Sequence, residues 1–402
     1  MERNQRFGRL FGLQTGLLAI LLFMACSTRA NLDTATTGPR TVPVRSSIAG
    51  GEAQECSRLP RPSDVLRAGT ARAPLEVSIC ARSTVSPDSE NLRRYEFSEP
   101  QMGLPFRIVV YARDKPTAEA AARAAFDRIK QLNDILSDYE DDSELSRLSR
   151  SAGSGQAVKV SDELWWVLKR AQKLAQRTDG AFDVTVGPVV SLWRKARREK
   201  KLPEPARLAQ ALQAVGYKKL RLDSRRQTVQ LLAPRMRLDL GAIAKGYAAD
   251  EALKVLRRRG ITRALVAGGG DMAMGDPPPG TKGWRIEIAP LDTTNSPPAR
   301  FVLLANAGLA TSGDLFQHVT IDGKRYSHIV DPRTGIGLTD HSLVTVIAPD
   351  AITADSLATA VSVLGPEKGK KLIENTKGAA VRIVRQPGDT IEATESSRFK
   401  LY

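Results

Sequence analysis

Mixed α and β structure is what this 402-residue sequence predicts, on three observations. A β-branched and aromatic run, "FRIVVYAR" at Phe106 to Arg113, leads into "TAEAAARAAFDRIKQLNDILS", which places Ala121, Ala125, Ile129 and Leu132 near one helical face. "MRLDLGAIAKGYAADEALKVLRRRG" reads as a short strand, a turn through Gly241 and a helix that ends at Gly260 after a basic last turn. A further helix, from about Thr353 to Leu364, is closed by Gly365 and Pro366. Hydrophobic residues make up 42% of the chain, enough for one large domain or two ordinary ones with appendages.

The first segment precedes any of these elements. Arg3, Arg6 and Arg9 stand ahead of the apolar run "GLLAILLFMA", which is short for a membrane span and reads as an export signal over residues 1–25. "FMAC" resembles a lipobox, which implies a lipid on Cys26 and a mature protein anchored to the membrane on the periplasmic or extracytoplasmic side; an uncleaved signal anchor is the alternative. Residues 26–95 are rich in Thr, Pro, Arg, Gly and Ser without a sustained period, as expected of a disordered tether. A lipid on Cys26 leaves Cys56 and Cys80 as an even pair in an oxidising compartment. No cysteine stands in a C-x-x-C pair, which removes structural zinc and thioredoxin-like chemistry. The folded domain is placed at 96–402.

The net charge is +16, and its distribution is uneven. Arg194 to Arg226 holds twelve Lys or Arg against Glu199, Glu204 and Asp223. Nucleic acid is not the expected partner, because the stretch offers one aromatic, Tyr217, and is interrupted by Pro203 and Pro205. A solvated basic surface, attracted to anionic lipid headgroups, is the reading it supports.

Chemistry-bearing residues concentrate from Asp239 onward. Lys245 falls in the first turn of its helix, where its ammonium and nearby free N–H groups can face an anion; an idle surface lysine is the bland alternative. It precedes Gly246, the reverse of the order in a P-loop. Gly268, Gly269 and Gly270 suit either close approach of a ligand or an ordinary turn. Asp355 and Thr359, four apart, project a carboxylate and a hydroxyl from one helical face. Such hard oxygen donors suit Mg²⁺, unless both are satisfied within their own helix. Only three histidines exist, His318, His328 and His341, so any histidine-based mechanism draws on that segment.

In order and wording these segments resemble the ApbE family of FAD:protein FMN transferases. The resemblance runs from about Met102 to Leu364 and is carried by "QMGLPFRIVVYA", "LSDYEDDSELSRLS", "DGAFDVTVGPVVSLW", "LDLGAIAKGYAAD", "GGGDM", "ATSGD", "YSHIVDPRTG" and "DAITADSLATA". Leu104 stands where the family often has threonine. The resemblance implies an α+β domain of two packed lobes with FAD in the cleft between them. It places Met102, Tyr139, Ala181, Phe182, Asp183, Asp239, Lys245 and Ile329 on FAD-contacting positions. The carbonyl of Ala242, with Asp355 and Thr359, falls on a magnesium site, and His328 matches a histidine beside the reacting phosphate. The implied reaction moves the FMN part of FAD to a Ser or Thr hydroxyl of an exported acceptor protein and releases AMP. The acceptor motif of the family ends in Gly-Ala-Thr; neither "GAT" nor "GAS" occurs here, which argues against self-modification. An FAD pyrophosphatase, with water replacing the protein hydroxyl, and a non-catalytic flavin-binding lipoprotein are the rival readings.

Overall fold

Period-two patterning of the first strands decides the layering in the computed structural model, which describes residues 91–291, 300–315 and 317–402. β1 (Arg93–Gln101) and β2 (Leu104–Ala112) are joined by the two-residue turn Met102–Gly103, with φ of 50° and 76°, as tight hairpins require. β2 turns Phe106, Ile108 and Val110 to one side and Val109 to the other, and both sides are buried. Order therefore reaches back to Arg93, ahead of the expected start at 96. The signal segment, Cys26, Cys56 and Cys80 lie outside the described residues.

Next come α1 (Lys115–Leu136), α2 (Glu144–Arg150), β3 (Val158–Lys159), α3 (Asp162–Arg177), α4 (Gly187–Glu199), α5 (Pro205–Leu212), β4 (Leu220–Asp223) and β5 (Thr228–Leu231). They are followed by α6 (Ala244–Arg258), β6 (Ala264–Gly268), β7 (Asp271–Met274), β8 (Trp284–Ile288), β9 (Arg300–Leu304) and β10 (Ala307–Gly313). The chain closes with β11 (His318–Ile321), β12 (Lys324–Ser327), β13 (Ser342–Ala348), α7 (Ala351–Glu374), β14 (Ala380–Arg385) and β15 (Glu392–Glu395).

An eight-stranded antiparallel sheet in the order β1-β2-β6-β7-β10-β13-β14-β15 carries the large lobe. Helices α1, α6 and α7 cover one face and share its core. The hairpin β8–β9 covers the other through Trp284, Ile286, Ile288, Val302 and Leu304. α1 buries the four residues that its spacing selects, Ala121, Ala125, Ile129 and Leu132, and is started by Asp114, whose carboxylate accepts from Thr117 N at 2.8 Å. The smaller lobe has its own core, where Val189 and Trp193 of α4 meet Val319, Ile321 and Tyr326 of hairpin β11–β12. A small sheet, β3-β5-β4, packs Leu220, Val229 and Leu231 onto the large core.

Two expected boundaries change. "MRLD" forms no regular strand: Arg237 makes a single parallel bridge to Val186, Leu238 N donates to Ser149 Oγ and Asp239 N to Val184 O. Its backbone groups are satisfied by a side chain and a loop instead of a ladder. The helix expected at 353–364 starts at Ala351, because Asp350 caps it through Thr353 N at 3.0 Å. Gly365, at φ 76° and ψ 179°, breaks it, but Pro366 then opens a second segment that runs to Glu374. Among the described residues no helix is long and apolar enough to cross a membrane.

Candidate active site

The loop "LDLGAIAKG" joins two charged clusters through one residue, Gly241. Its N–H donates to Asp239 Oδ1 at 2.8 Å, while its carbonyl accepts from Lys245 Nζ at 2.8 Å. On the Asp239 side, Arg194 reaches down from α4 to Asp239 Oδ2 at 2.9 Å and to Asp138 Oδ2 at 2.5 Å. Both carboxylates are buried, and the guanidinium also lies 4.1 Å from the ring centre of Tyr139. Burial, then the Asp138 charge, raises the pKa of Asp239 against the pull of Arg194. Tyr139 is 72% exposed, so the ring rests on Arg194 and leaves its remaining surface open to a ligand.

On the Lys245 side, the first turn of α6 meets α7 and β7. Lys245 Nζ lies 2.9 Å from Asp271 Oδ2 and 3.6 Å from Asp355 Oδ1, and both aspartates are buried. With the Gly241 carbonyl, three acceptors surround an ammonium that has three protons. In this structure the ammonium faces two carboxylates and a carbonyl. Burial works to lower the pKa of Lys245, and the two carboxylates overcome it, leaving the value raised. Burial, followed by the charge of Asp271, pushes Asp355 up to about 7. Gly246 is required by packing: a Cβ there would stand 2.3 Å from Ala351 O and 2.8 Å from Asp355 Cβ.

The donors around Asp355 fit a small hard cation. Gly246 N–H, which in a regular turn would reach back to Ala242 C=O, donates instead to Asp355 Oδ2 at 3.0 Å. Thr359 Oγ1, one turn along α7, has Ser312 Oγ of β10 at 3.4 Å. A carboxylate, a hydroxyl and a backbone carbonyl are the hard oxygen donors Mg²⁺ takes, with water and phosphate oxygens completing its shell. Among the described residues no group of three or more His, Cys, Asp or Glu is placed to hold a metal.

His328 follows β12 directly. Its backbone N and its Nδ1 both reach the carbonyl of Gln317, at 2.9 and 3.0 Å. A carbonyl only accepts, so the proton of the neutral ring sits on Nδ1 and Nε2 carries the lone pair. Burial lowers its pKa to about 4, and the positive charges of Arg197 and Lys245 act in the same direction. The other two histidines brace the same turn. His318 Nδ1 meets Asp314 O at 2.9 Å, and His341 Nδ1 meets the buried carboxylate of Asp314 at 2.7 Å, which also pairs with Arg325.

The remaining expected contacts have mixed settings. Met102 sits in the β1–β2 turn and packs on the large core. Ala181, Phe182 and Ile329 have buried side chains, and their backbone N–H groups donate within the protein, to Thr178 O, Thr178 Oγ1 and Ser327 Oγ. Asp183 is buried and accepts from Thr185 N and Oγ1 at 2.8 and 2.7 Å; burial still raises its pKa. Sequence reasoning missed four participants: Asp138, Arg194, Asp250 and Asp271. Arg194 was hidden in a stretch read as solvated surface, although it directly follows the motif tryptophan Trp193. Asp250, whose pKa burial raises to about 6, accepts from Ala351 N and Ile352 N at 2.9 Å each and so holds α7 against α6.

Comparisons with known proteins place the chain in a family. The model of the ApbE family matches residues 102–383. A protein of Haemophilus influenzae named FAD:protein FMN transferase is 34% identical over 279 residues, 68% of this chain and 81% of that protein. One of the same name from Treponema pallidum is 35% identical over 303 residues, 71% and 83% of the two chains. The solved structure of the flavin transferase ApbE from Vibrio cholerae superposes with a TM-score of 0.70 at 31% identity, covering 77% of this chain and 99% of that one. The ApbE protein of Thermotoga maritima gives 0.68 at 31% identity, with the same coverage. Since the matched span runs from the Met102 turn into β14, through all three clusters described above, this chain belongs to the ApbE family of flavin transferases.

Proposed function

We propose that this protein transfers the FMN part of FAD to a serine or threonine hydroxyl of an exported acceptor protein, in a magnesium-dependent reaction that releases AMP. The observation that carries this reading is His328: a neutral imidazole whose Nδ1 is held by Gln317 O and whose Nε2 is available as a base. A hydroxyl is a weak nucleophile near neutral pH and gains from a base that takes its proton during attack. The acceptor oxygen bonds to the FMN-side phosphorus as its proton passes to Nε2. The bond from that phosphorus to the bridging oxygen breaks, and AMP leaves with that oxygen. The proton then passes from Nε2 to the leaving phosphate or to water.

Mg²⁺ held by Asp355, Thr359 and the Ala242 carbonyl would supply positive charge where the diphosphate gains negative charge. The chain's own residues arrange that site. Lys245 orients Asp355 and Asp271, while Asp250 fixes the start of the helix that carries Asp355. Tyr139, backed by Arg194, offers a surface for an aromatic ring of FAD.

Incubating the protein with FAD, Mg²⁺ and an acceptor bearing a Gly-Ala-Thr motif tests the reading. Flavin fluorescence on the denatured acceptor, lost when the acceptor Thr is replaced by Val, is the expected result. Free FMN and AMP without labelled acceptor would identify a pyrophosphatase; bound but unconverted FAD would identify a binding protein. We also read the protein as exported and held at the membrane by a lipid on Cys26, because that cysteine closes the apolar run. Cys26→Ser should release it from the membrane fraction or stall its processing, and unchanged fractionation and mobility would contradict the anchor.

A further inference from the structure

Helix α4 ties the two halves of the site together through consecutive residues. Trp193 is buried, donates from Nε1 to Gly335 O at 2.8 Å and lies 5.1 Å from the ring of Tyr326, next to the strand end that bears His328. Arg194 reaches the other way, to Asp138, Asp239 and Tyr139. Arg197 comes one turn later, near both on the helix surface. It is partly buried, and its charge acts on both Tyr139 and His328. Yet it makes no hydrogen bond or ion pair with any described residue.

That setting is unfavourable without a ligand. Burial and the neighbouring charges of Arg194 and Arg198 lower the pKa of Arg197, though a guanidinium stays charged. A charge partly removed from water, with no acceptor and like charges beside it, costs free energy that an anion would recover. The carbonyls at the end of α4 account for a basic residue there, and the exposed Arg198 already meets that need. Lys245, the other cation acting on His328, is enclosed by three acceptors.

We infer that Arg197, one turn along α4 from the arginine that backs Tyr139, receives a phosphate oxygen of the flavin nucleotide. The inference rests on the FMN-transfer reading and adds a residue to it. A guanidinium fork matches two phosphate oxygens at once. It also gives binding a consequence, since phosphate on Arg197 cancels part of the positive field that, after burial, lowers the pKa of His328.

The test compares FAD, FMN and riboflavin binding to the full chain, followed by fluorescence, for wild type, Arg197→Met and Arg197→Lys. Met keeps most of the stem, and circular dichroism checks the fold. Loss of one charge-assisted contact predicts that Arg197→Met weakens FAD and FMN by about ten- to a hundredfold and leaves riboflavin, which has no phosphate, unchanged. Arg197→Lys should regain part of the loss. If riboflavin binds too weakly to measure, salt decides: FAD affinity should fall with rising salt in wild type and much less in Arg197→Met. Unchanged FAD affinity, an equal loss for riboflavin, or the same salt dependence in both proteins overturns the assignment. An inactive wild type would instead overturn the transfer reading, whereas an active wild type with an indifferent Arg197→Met overturns this inference alone.

Discussion

Lys245 and Arg197 are cations at two edges of one site, and their surroundings are opposite. Lys245 is enclosed by Asp271, Asp355 and the Gly241 carbonyl, so its charge is matched within the protein. Among the described residues Arg197 has no such match, and it shares its end of α4 with two more arginines. The difference teaches how a basic chain builds an anion site. A matched cation sets geometry, here the direction of the Asp271 and Asp355 carboxylates. On the inference above, the unmatched cation is left for substrate.

The largest effects should come from the groups that act between these two cations. His328→Ala should lower transfer by on the order of 10²–10⁴-fold while FAD binding changes little, because the base acts on the acceptor hydroxyl. Normal transfer would refute the base role, and lost FAD binding would make His328 a ligand or structural residue. Asp355→Ala should cost on the order of 10²–10³-fold at any Mg²⁺ concentration, as loss of a group that organises charge at the reacting phosphate. Thr359→Ala should cost less, since water replaces a neutral ligand. Full activity of Asp355→Ala across a Mg²⁺ titration would remove the metal assignment.

The enclosed cation can be broken directly. Lys245→Met leaves two buried carboxylates without their counter-charge and should lower stability by ~3–5 kcal/mol in the absence of metal. Mg²⁺ should then raise the melting temperature of the variant more than that of wild type, by supplying the missing charge. Equal Mg²⁺ shifts in both would show that Lys245 and the metal do not share these carboxylates.

Protonation gives a sharper view of the open side. With its pKa near 4, His328 stays neutral through the neutral range, and its ring resonances should titrate well below those of an ordinary histidine. Three histidines are few enough to resolve by NMR, and His328→Gln assigns the signal. The sign follows from the positive field: removing Arg197 should raise that pKa, and a midpoint that stays put would separate the two residues. The smallest effect belongs to Asp250→Ala, which removes two backbone caps from α7 and should cost ~1–2 kcal/mol in thermal unfolding with the FAD affinity nearly kept.

How much of this was legible in the sequence follows from how local each signal is. Helix α1 announced itself through its spacing, α6 through its opening turn and basic last turn, and β2 through its β-branched and aromatic residues; the one-turn spacing of Asp355 and Thr359 was visible without a fold. Asp271 was quoted within "GGGDM" but carried no role, because only the crossing of β7 and α6 brings it to Lys245. Arg194 looked like one of twelve basic residues, and only its reach of 45 positions to Asp239 and 56 to Asp138 separates it from the solvated ones. The tautomer of His328 was equally out of reach, since it depends on a carbonyl eleven residues away. The strand expected at "MRLD" failed because its hydrogen bonds go to Ser149 and Val184, partners that no local pattern reveals.

The central claim is transfer of FMN to protein, and the ratio of AMP released to flavin attached tests it most directly. With wild-type protein, FAD, Mg²⁺ and the Gly-Ala-Thr acceptor, one AMP should be released for each flavin that stays on the acceptor after denaturation, and both products should fall together by the same large factor with His328→Ala. AMP in clear excess over attached flavin, with free FMN making up the difference, would contradict transfer as the function and point to hydrolysis by the same residues.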